Sequence, residues 1–268
     1  MGHEFIGDIT ETGSSLQNFK IGDRVVAPFT VSCGACFYCT QAMSSRCVDS
    51  KLFGSAALDG GQAEYVRVPL ADSSLVAVPS SAEIKDDKNL VFMADIFPTG
   101  YFAASNWFKD MNDVAVRNST TVVLGCGPVG ICALVSAMEY SPKNVIAVDC
   151  IPSRLKLAEN LGAEAWNYGT DADGLARRVK ELTERRGADV VIEVVGHSDA
   201  LRLGFDLVRP WGKLSSVGVH TAEIPWTGAE AYAKNVQLQF GRCPVRSECS
   251  SFLDPFVFEA DINYCRYV

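Results

Sequence analysis

Residues 120–149 read TTVVLGCGPVGICALVSAMEYSPKNVIAVD, and their rhythm decides the fold. TTVVL is the apolar, β-branched run that a strand buried on both faces requires. The six residues that follow, Gly125, Cys126, Gly127, Pro128, Val129 and Gly130, match G-x-G-x-x-G between a strand and a helix. Gly125 permits the tight turn, Gly127 lets the backbone approach a diphosphate, and Gly130 lets helix and strand pack closely. Pro128 falls in the first helical turn, where its missing N–H has no intrahelical partner to lose. The remaining N–H groups and the positive helix end favour a diphosphate. The next strand, NVIAVD, ends at Asp149, about 20 residues past the turn, where a carboxylate accepts from a ribose 2′-OH. It would repel a 2′-phosphate, so NAD is favoured over NADP; the bland alternative is that Asp149 merely caps its strand. Arg154 is expected near the adenosine ribose, with a surface ion pair as the alternative.

Downstream the alternation continues. PSRLKLAENLG reads as an amphipathic helix stopped by Gly162, AEAWNYG as a strand, and DGLARRVKELTERRG as a helix. Three further strands follow, ADVVIEVVG, GKLSSVGV and NVQLQFG. Apolar strands alternating with helices predict an α/β fold, a doubly wound parallel sheet covered on both faces. Upstream, RVVAPF, AEYVRVP and SSLVAVP read as short strands separated by turns. Residues 84–106 change period, and KNLVFMADIFPTGYFAASNWF reads as helical in parts with a break at Pro98. From Glu248 the sequence shows no clear period.

Ten cysteines is a high count for 268 residues. Cys33, Cys36, Cys39 and Cys47 form C-x2-C-x2-C-x7-C, a spacing that lets four thiolates surround one tetrahedral Zn²⁺. Four protein ligands leave no open position, so such a zinc is structural; an iron–sulfur cluster is the alternative. The other six are scattered and read as buried thiols. A net charge of −8 and the lack of any basic run argue against nucleic acid and anionic membranes as partners. No secretory or membrane-spanning segment is read, which predicts a cytoplasmic protein.

With these residues in view the chain resembles the zinc-dependent medium-chain alcohol dehydrogenases. The resemblance rests on GHEFIGDITETG, GDRVVAPF, the four-cysteine lobe, GGQAEYVRVP, ADIFPTGY and GCGPVG with its following AVD, in family order from residue 1 to about 247. It implies a GroES-like catalytic domain, incomplete here, at 1–95, a Rossmann NAD-binding domain at 96–247, and an irregular tail outside the family pattern at 248–268. It also implies a catalytic zinc held by His3 and Asp95, with Glu4 coordinating or supporting beside them. The Asp95 form looks like a branch that includes polyol- and formaldehyde-oxidising enzymes. Thr99 and Val129 match positions lining the nicotinamide, and Val217 and Val219 complete the expected cofactor contacts. The implied activity is hydride transfer from an alcohol, polyol or aldehyde hydrate to NAD. The family form is a homo-oligomer, and NVQLQFG is the strand expected to pair with a second subunit.

His3 stands where a chain normally frays. The family pattern has a stretch before Gly-His-Glu that carries a further zinc cysteine, and a longer continuation after GRCPVRS. A chain truncated at both ends is therefore expected, with unpaired edges in its first domain. An alternative reading follows, a zinc- and NAD-binding remnant without activity. His197 and His220 match no ligand position and read as ordinary loop or strand-end residues.

Overall fold

The computed structural model describes residues 1–79 and 86–253. They form two compact units, divided between Pro98 and Thr99 and again between Arg242 and Cys243. The first unit therefore takes residues from both sides of the second, and among the described residues those from Cys243 to Leu253 group with it.

In the first unit the elements are β1 (Phe5–Asp8), β2 (Arg24–Ala27), α1 (Phe37–Thr40), α2 (Ala71–Ser74), β3 (Val76–Ala77) and α3 (Asp87–Phe92). The strands make one antiparallel sheet in the order β1-β2-β3, with Ile6 opposite Val26 and Val25 opposite Ala77. Val25 and Ala27 are buried with Leu75, against Phe5, Ile9 and Val68. The strand expected at AEYVRVP does not form: residues 63–69 are irregular. Alternation prepares a segment for a sheet, but a strand exists only through a partner's hydrogen bonds. Among the described residues none pairs here, and Tyr65 is exposed.

The dividing point falls inside α4 (Ile96–Phe108). Pro98 does not break this helix as expected. It sits in the first turn, where no intrahelical N–H is lost; the interruption comes earlier, at residues 93–95. Then follow α5 (Asp113–Arg117), β4 (Thr120–Leu124), α6 (Pro128–Glu139), β5 (Asn144–Asp149), α7 (Pro152–Asn160) and β6 (Glu164–Asn167). The second half holds α8 (Ala172–Leu182), β7 (Ala188–Glu193), α9 (Ser198–Leu207), β8 (Val208–Ser216), α10 (Gly228–Lys234) and β9 (Gln237–Phe240).

All six strands are parallel, in the order β6-β5-β4-β7-β8-β9. Successive side chains of β4 feed opposite cores. Val123 joins Trp107, Phe108, Ile131 and Leu134 on one face, whereas Val122 and Leu124 join Leu175, Val179 and Leu201 on the other. The direction of strand addition reverses at β4, so the crevice outside the carboxyl ends of β4 and β7 is the switch point where such sheets take ligands. The Gly125–Gly130 turn leaves β4 at that place.

The last element is α11 (Val245–Leu253). Part of it lies beyond Glu248, where no element was expected. Val245 and Cys249, four residues apart on one helical face, are both buried. Residues 254–268, the rest of the expected irregular tail, lie outside the described residues.

Candidate functional site

Gly125 has φ +96°, a left-handed conformation that a side chain rarely adopts. A Cβ on Gly130 would overlap the Gly125 carbonyl oxygen, so α6 starts in contact with the turn. At Gly127 the contrast is plain: a Cβ would meet only Arg154 Nη1, at 4.0 Å. The space above Gly127 is thus open, as close approach of a diphosphate requires. The amides of Val129 and Gly130, in the first turn of α6, have no intrahelical acceptor. Pro128 opens that helix and is exposed.

Asp149 closes the same corner. Its Oδ2 accepts from the Cys126 N–H at 2.8 Å, and its Oδ1 from Cys150 and Ile151 at 2.7 and 2.9 Å. Arg154 Nη1 stands 3.6 Å from Oδ2. Burial works against the charged carboxylate, yet these three backbone donors and Arg154 outweigh it and hold the carboxyl below its usual range. Asp149 therefore does more than cap its strand: it ties the end of β5 to the glycine turn. Sequence reasoning had not anticipated that brace.

His3 is not frayed. The Met1 carbonyl accepts from Gln62 N–H at 3.0 Å and the Gly2 carbonyl from Gly61 N–H at 2.9 Å. Asp95 follows Ala94, whose carbonyl accepts from Phe29 N–H at 3.1 Å, and His3 meets the Phe29 ring edge-on at 6.1 Å. These ties bring His3 Nε2 to 3.2 Å from Asp95 Oδ2. Two donors about 2.1 Å from one tetrahedral zinc stand roughly 3.4 Å apart, so the pair suits a shared ion. Burial, then the neighbouring Asp95 charge, raise the Glu4 carboxyl against the opposing pull of His3. Among the described residues Glu4 does not complete a three-donor cluster with the other two.

The cysteine lobe is complete. The four sulfurs of Cys33, Cys36, Cys39 and Cys47 lie within 4.8 Å of one another. Sulfurs held about 2.3 Å from one zinc stand roughly 3.8 Å apart, so the set fits that ion. The Cys33 N–H donates to Cys47 Sγ at 3.2 Å and the Cys36 N–H to Cys33 Sγ at 3.4 Å, which orients the sulfurs inward. Backbone amides of Cys39 and Val48 draw the Cys36 thiol down to about 6, whereas burial pushes Cys39 up to about 12. A bound cation is what lets four adjacent sulfurs all shed their protons. None of the nine described cysteines forms a disulfide.

A family model for the alcohol dehydrogenase GroES-like domain matches residues 1–80, and one for zinc-binding dehydrogenases matches residues 128–255. The chain is 50% identical over 232 residues to a medium chain reductase/dehydrogenase of Acremonium sp, covering 87% of this chain and 78% of that protein. It belongs to the zinc-dependent medium-chain alcohol dehydrogenase family. A zinc-type alcohol dehydrogenase B of Aspergillus flavus is 59% identical over 254 residues; the match covers 95% of this chain but 59% of that relative. The alcohol dehydrogenase TADH from Thermus sp. ATN1 superposes with a TM-score of 0.83 at 31% identity, over 94% of this chain and 71% of that one. Among the described residues no helix is long and apolar enough to cross a membrane.

In this family member the remaining residues expected at the cofactor are distributed as follows. Gly100 packs against Cys132 and Ala133 of α6, which carries Thr99 towards the helix that bears Val129. Val217 and Val219 follow β8; the Val217 N–H bonds the Glu193 carbonyl at 3.1 Å, and Val219 is exposed. His197 caps α9, a structural loop role as expected. His220 is different. It lies 2.9 Å from both Ser216 Oγ and the fully buried Glu193 Oε2. The missed signal was an acid inside ADVVIEVVG: a carboxyl on a strand buried on both faces must find donors.

Proposed function

We propose that this chain is an oxidoreductase that moves hydride from an alcohol or polyol, or from an aldehyde hydrate, to NAD. The observation that carries the reading is the approach of His3 to Asp95 at 3.2 Å, two potential metal donors far apart in sequence, in a chain of this family. Zinc held there would act as a Lewis acid that makes a hydroxyl acidic near neutral pH. NAD would supply the hydride acceptor. His3 Nε2 and Asp95 Oδ2 would hold the metal, with Glu4 beside them. Cys33, Cys36, Cys39 and Cys47 would hold a second zinc with no open position and thus no chemistry. The amides of Val129 and Gly130 and the gap above Gly127 would seat the diphosphate. The ribose would face Asp149 and Arg154, and the nicotinamide would face Thr99, Val129, Val217 and Val219. A cytoplasmic location and a homo-oligomer formed through β9 accompany this reading. No observation favours the alternative of a binding remnant without turnover.

The test is alcohol-dependent NADH formation, read at 340 nm with a panel of short alcohols, polyols and hydrated aldehydes. Turnover on the order of 1 s⁻¹ is expected of a working enzyme. The His3→Ala variant is expected to lose at least about a hundredfold of it while NADH affinity holds. No turnover with any of the panel would overturn the proposal.

The nucleotide preference has its own test. Asp149→Asn keeps an oxygen for the Cys126 N–H but removes the charge that would repel a 2′-phosphate. The NAD-to-NADP affinity ratio is expected to fall about tenfold, equivalent to roughly 1.4 kcal/mol. An unchanged ratio would remove Asp149 from the ribose.

A further inference from the structure

We propose that Glu193, Ser216 and His220 form a positioning network that fixes the loops bearing the nicotinamide half of the dinucleotide. This deepens the dinucleotide reading given above and rests on it.

Glu193 ends β7 and is fully buried. Its Oε1 accepts from the Val195 and Gly196 N–H groups, both at 2.7 Å. Its Oε2 accepts the Ser216 hydroxyl at 2.6 Å and lies 2.9 Å from His220 Nε2. Ser216 ends β8, and His220 lies four residues beyond it. One carboxyl thus ties the loop after β7 to the loop after β8. The two loops also touch through their backbones, because a Cβ on Gly218 would overlap the Gly196 nitrogen. Val217 and Val219 are carried on the second of these loops.

The geometry excludes a hydrolytic triad. The one Ser216 hydroxyl proton is directed at Glu193, so Ser216 Oγ can only accept from His220, and Nε2 carries the hydrogen. An activated serine would instead donate to the imidazole, with the acid on the opposite ring nitrogen. Here Ser216 Oγ and Glu193 Oε2 both meet the same ring nitrogen, Nε2. The cluster holds shape.

Its place in the sheet says what the shape serves. A doubly wound sheet binds a dinucleotide across two mononucleotide halves, one on each side of the switch point. Asp149 and the glycine turn occupy the β4–β5 side, whereas Glu193 and Ser216 end β7 and β8 on the other. A buried acid in a strand adds little net stability over a well-packed apolar side chain. Its four donors instead fix two loop backbones against each other.

Binding of NADH and of AMP to the full chain separates this role from a structural one. AMP engages only the β4–β5 side. Glu193→Gln and Ser216→Ala are expected to weaken NADH at least about tenfold, the worth of one or two buried hydrogen bonds, and to leave AMP within about twofold. Ser216→Ala removes a single hydroxyl and serves as the readout where Glu193→Gln fails to fold. A lowered melting temperature with unchanged NADH affinity would overturn the proposal, as would equal weakening of NADH and AMP. A native chain that binds neither nucleotide would overturn the dinucleotide reading itself.

Discussion

Replacing Cys47 with serine is expected to empty the cysteine lobe and lower the melting temperature by roughly 10 °C, the equivalent of about 3 kcal/mol or more for a chain of this size. Cys47 is the buried member of the set, and its sulfur also accepts from the Cys33 and Asp49 N–H groups at 3.2 and 3.4 Å. Serine offers a harder, shorter ligand atom that reaches neither the metal position nor both amides. The helix beside it adds little: α1 is four residues long and buries none of them, and Phe37 and Val48 are exposed. Structural zinc is worth about 10–16 kcal/mol in small peptides, so losing one ligand of four removes a large share of the lobe's stability. Metal analysis before and after the substitution, beside a thermal melt, checks the result. Equal zinc content and an equal melt would show that the lobe holds no ion.

Gly130→Ala is expected to abolish measurable dinucleotide binding, at least a hundredfold loss, equivalent to about 2.7 kcal/mol. The added methyl would overlap the Gly125 carbonyl and come within 3.1 Å of Val194 Cγ2. The first obstacle is backbone, with no flexible end to swing aside, and overpacking of this kind costs about 1–3 kcal/mol even where the fold survives. Relief requires α6 to move off the turn, and that carries the Val129 and Gly130 amides away from the diphosphate. Alanine at Gly127 provides the internal control. Its Cβ meets no protein atom nearer than 4.0 Å, so the fold is untouched and only ligand approach is hindered. Fluorescence titration with NADH reads both variants. Native affinity in Gly130→Ala would mean that the turn does not seat the nucleotide.

Much of the second unit was legible because its central strands β4 and β7 are buried along their whole length and α8 is amphipathic, so pattern and structure coincide. All six predicted strands from TTVVLG to NVQLQFG form in one parallel sheet. The helices α9 and α10 were not read, although α10 carries a capping box between Thr227 and Glu230. The first unit was less legible. AEYVRVP has a strand's alternation but no ladder, because pairing is a property of two segments while periodicity belongs to one. The cysteine spacing placed four sulfurs together, since local geometry alone decides that. Asp149 and Arg154 were read as ligand contacts, yet the brace from Asp149 to Cys126 N–H was not foreseen: a hydrogen bond across β4 and β5 needs the register of both strands. Glu193, Ser216 and His220 were passed over for the same reason, since three unremarkable residues on two segments meet only after the sheet is built.

The hydrogen bonds of Asp149 also decide when the entropy of ordering the glycine turn is lost. Every donor and acceptor in them belongs to the protein itself, so that cost falls on folding and not on the arrival of a nucleotide. Association at this corner then needs no loop rearrangement, and its rate is expected to follow diffusion and orientation alone, independent of any slow opening step.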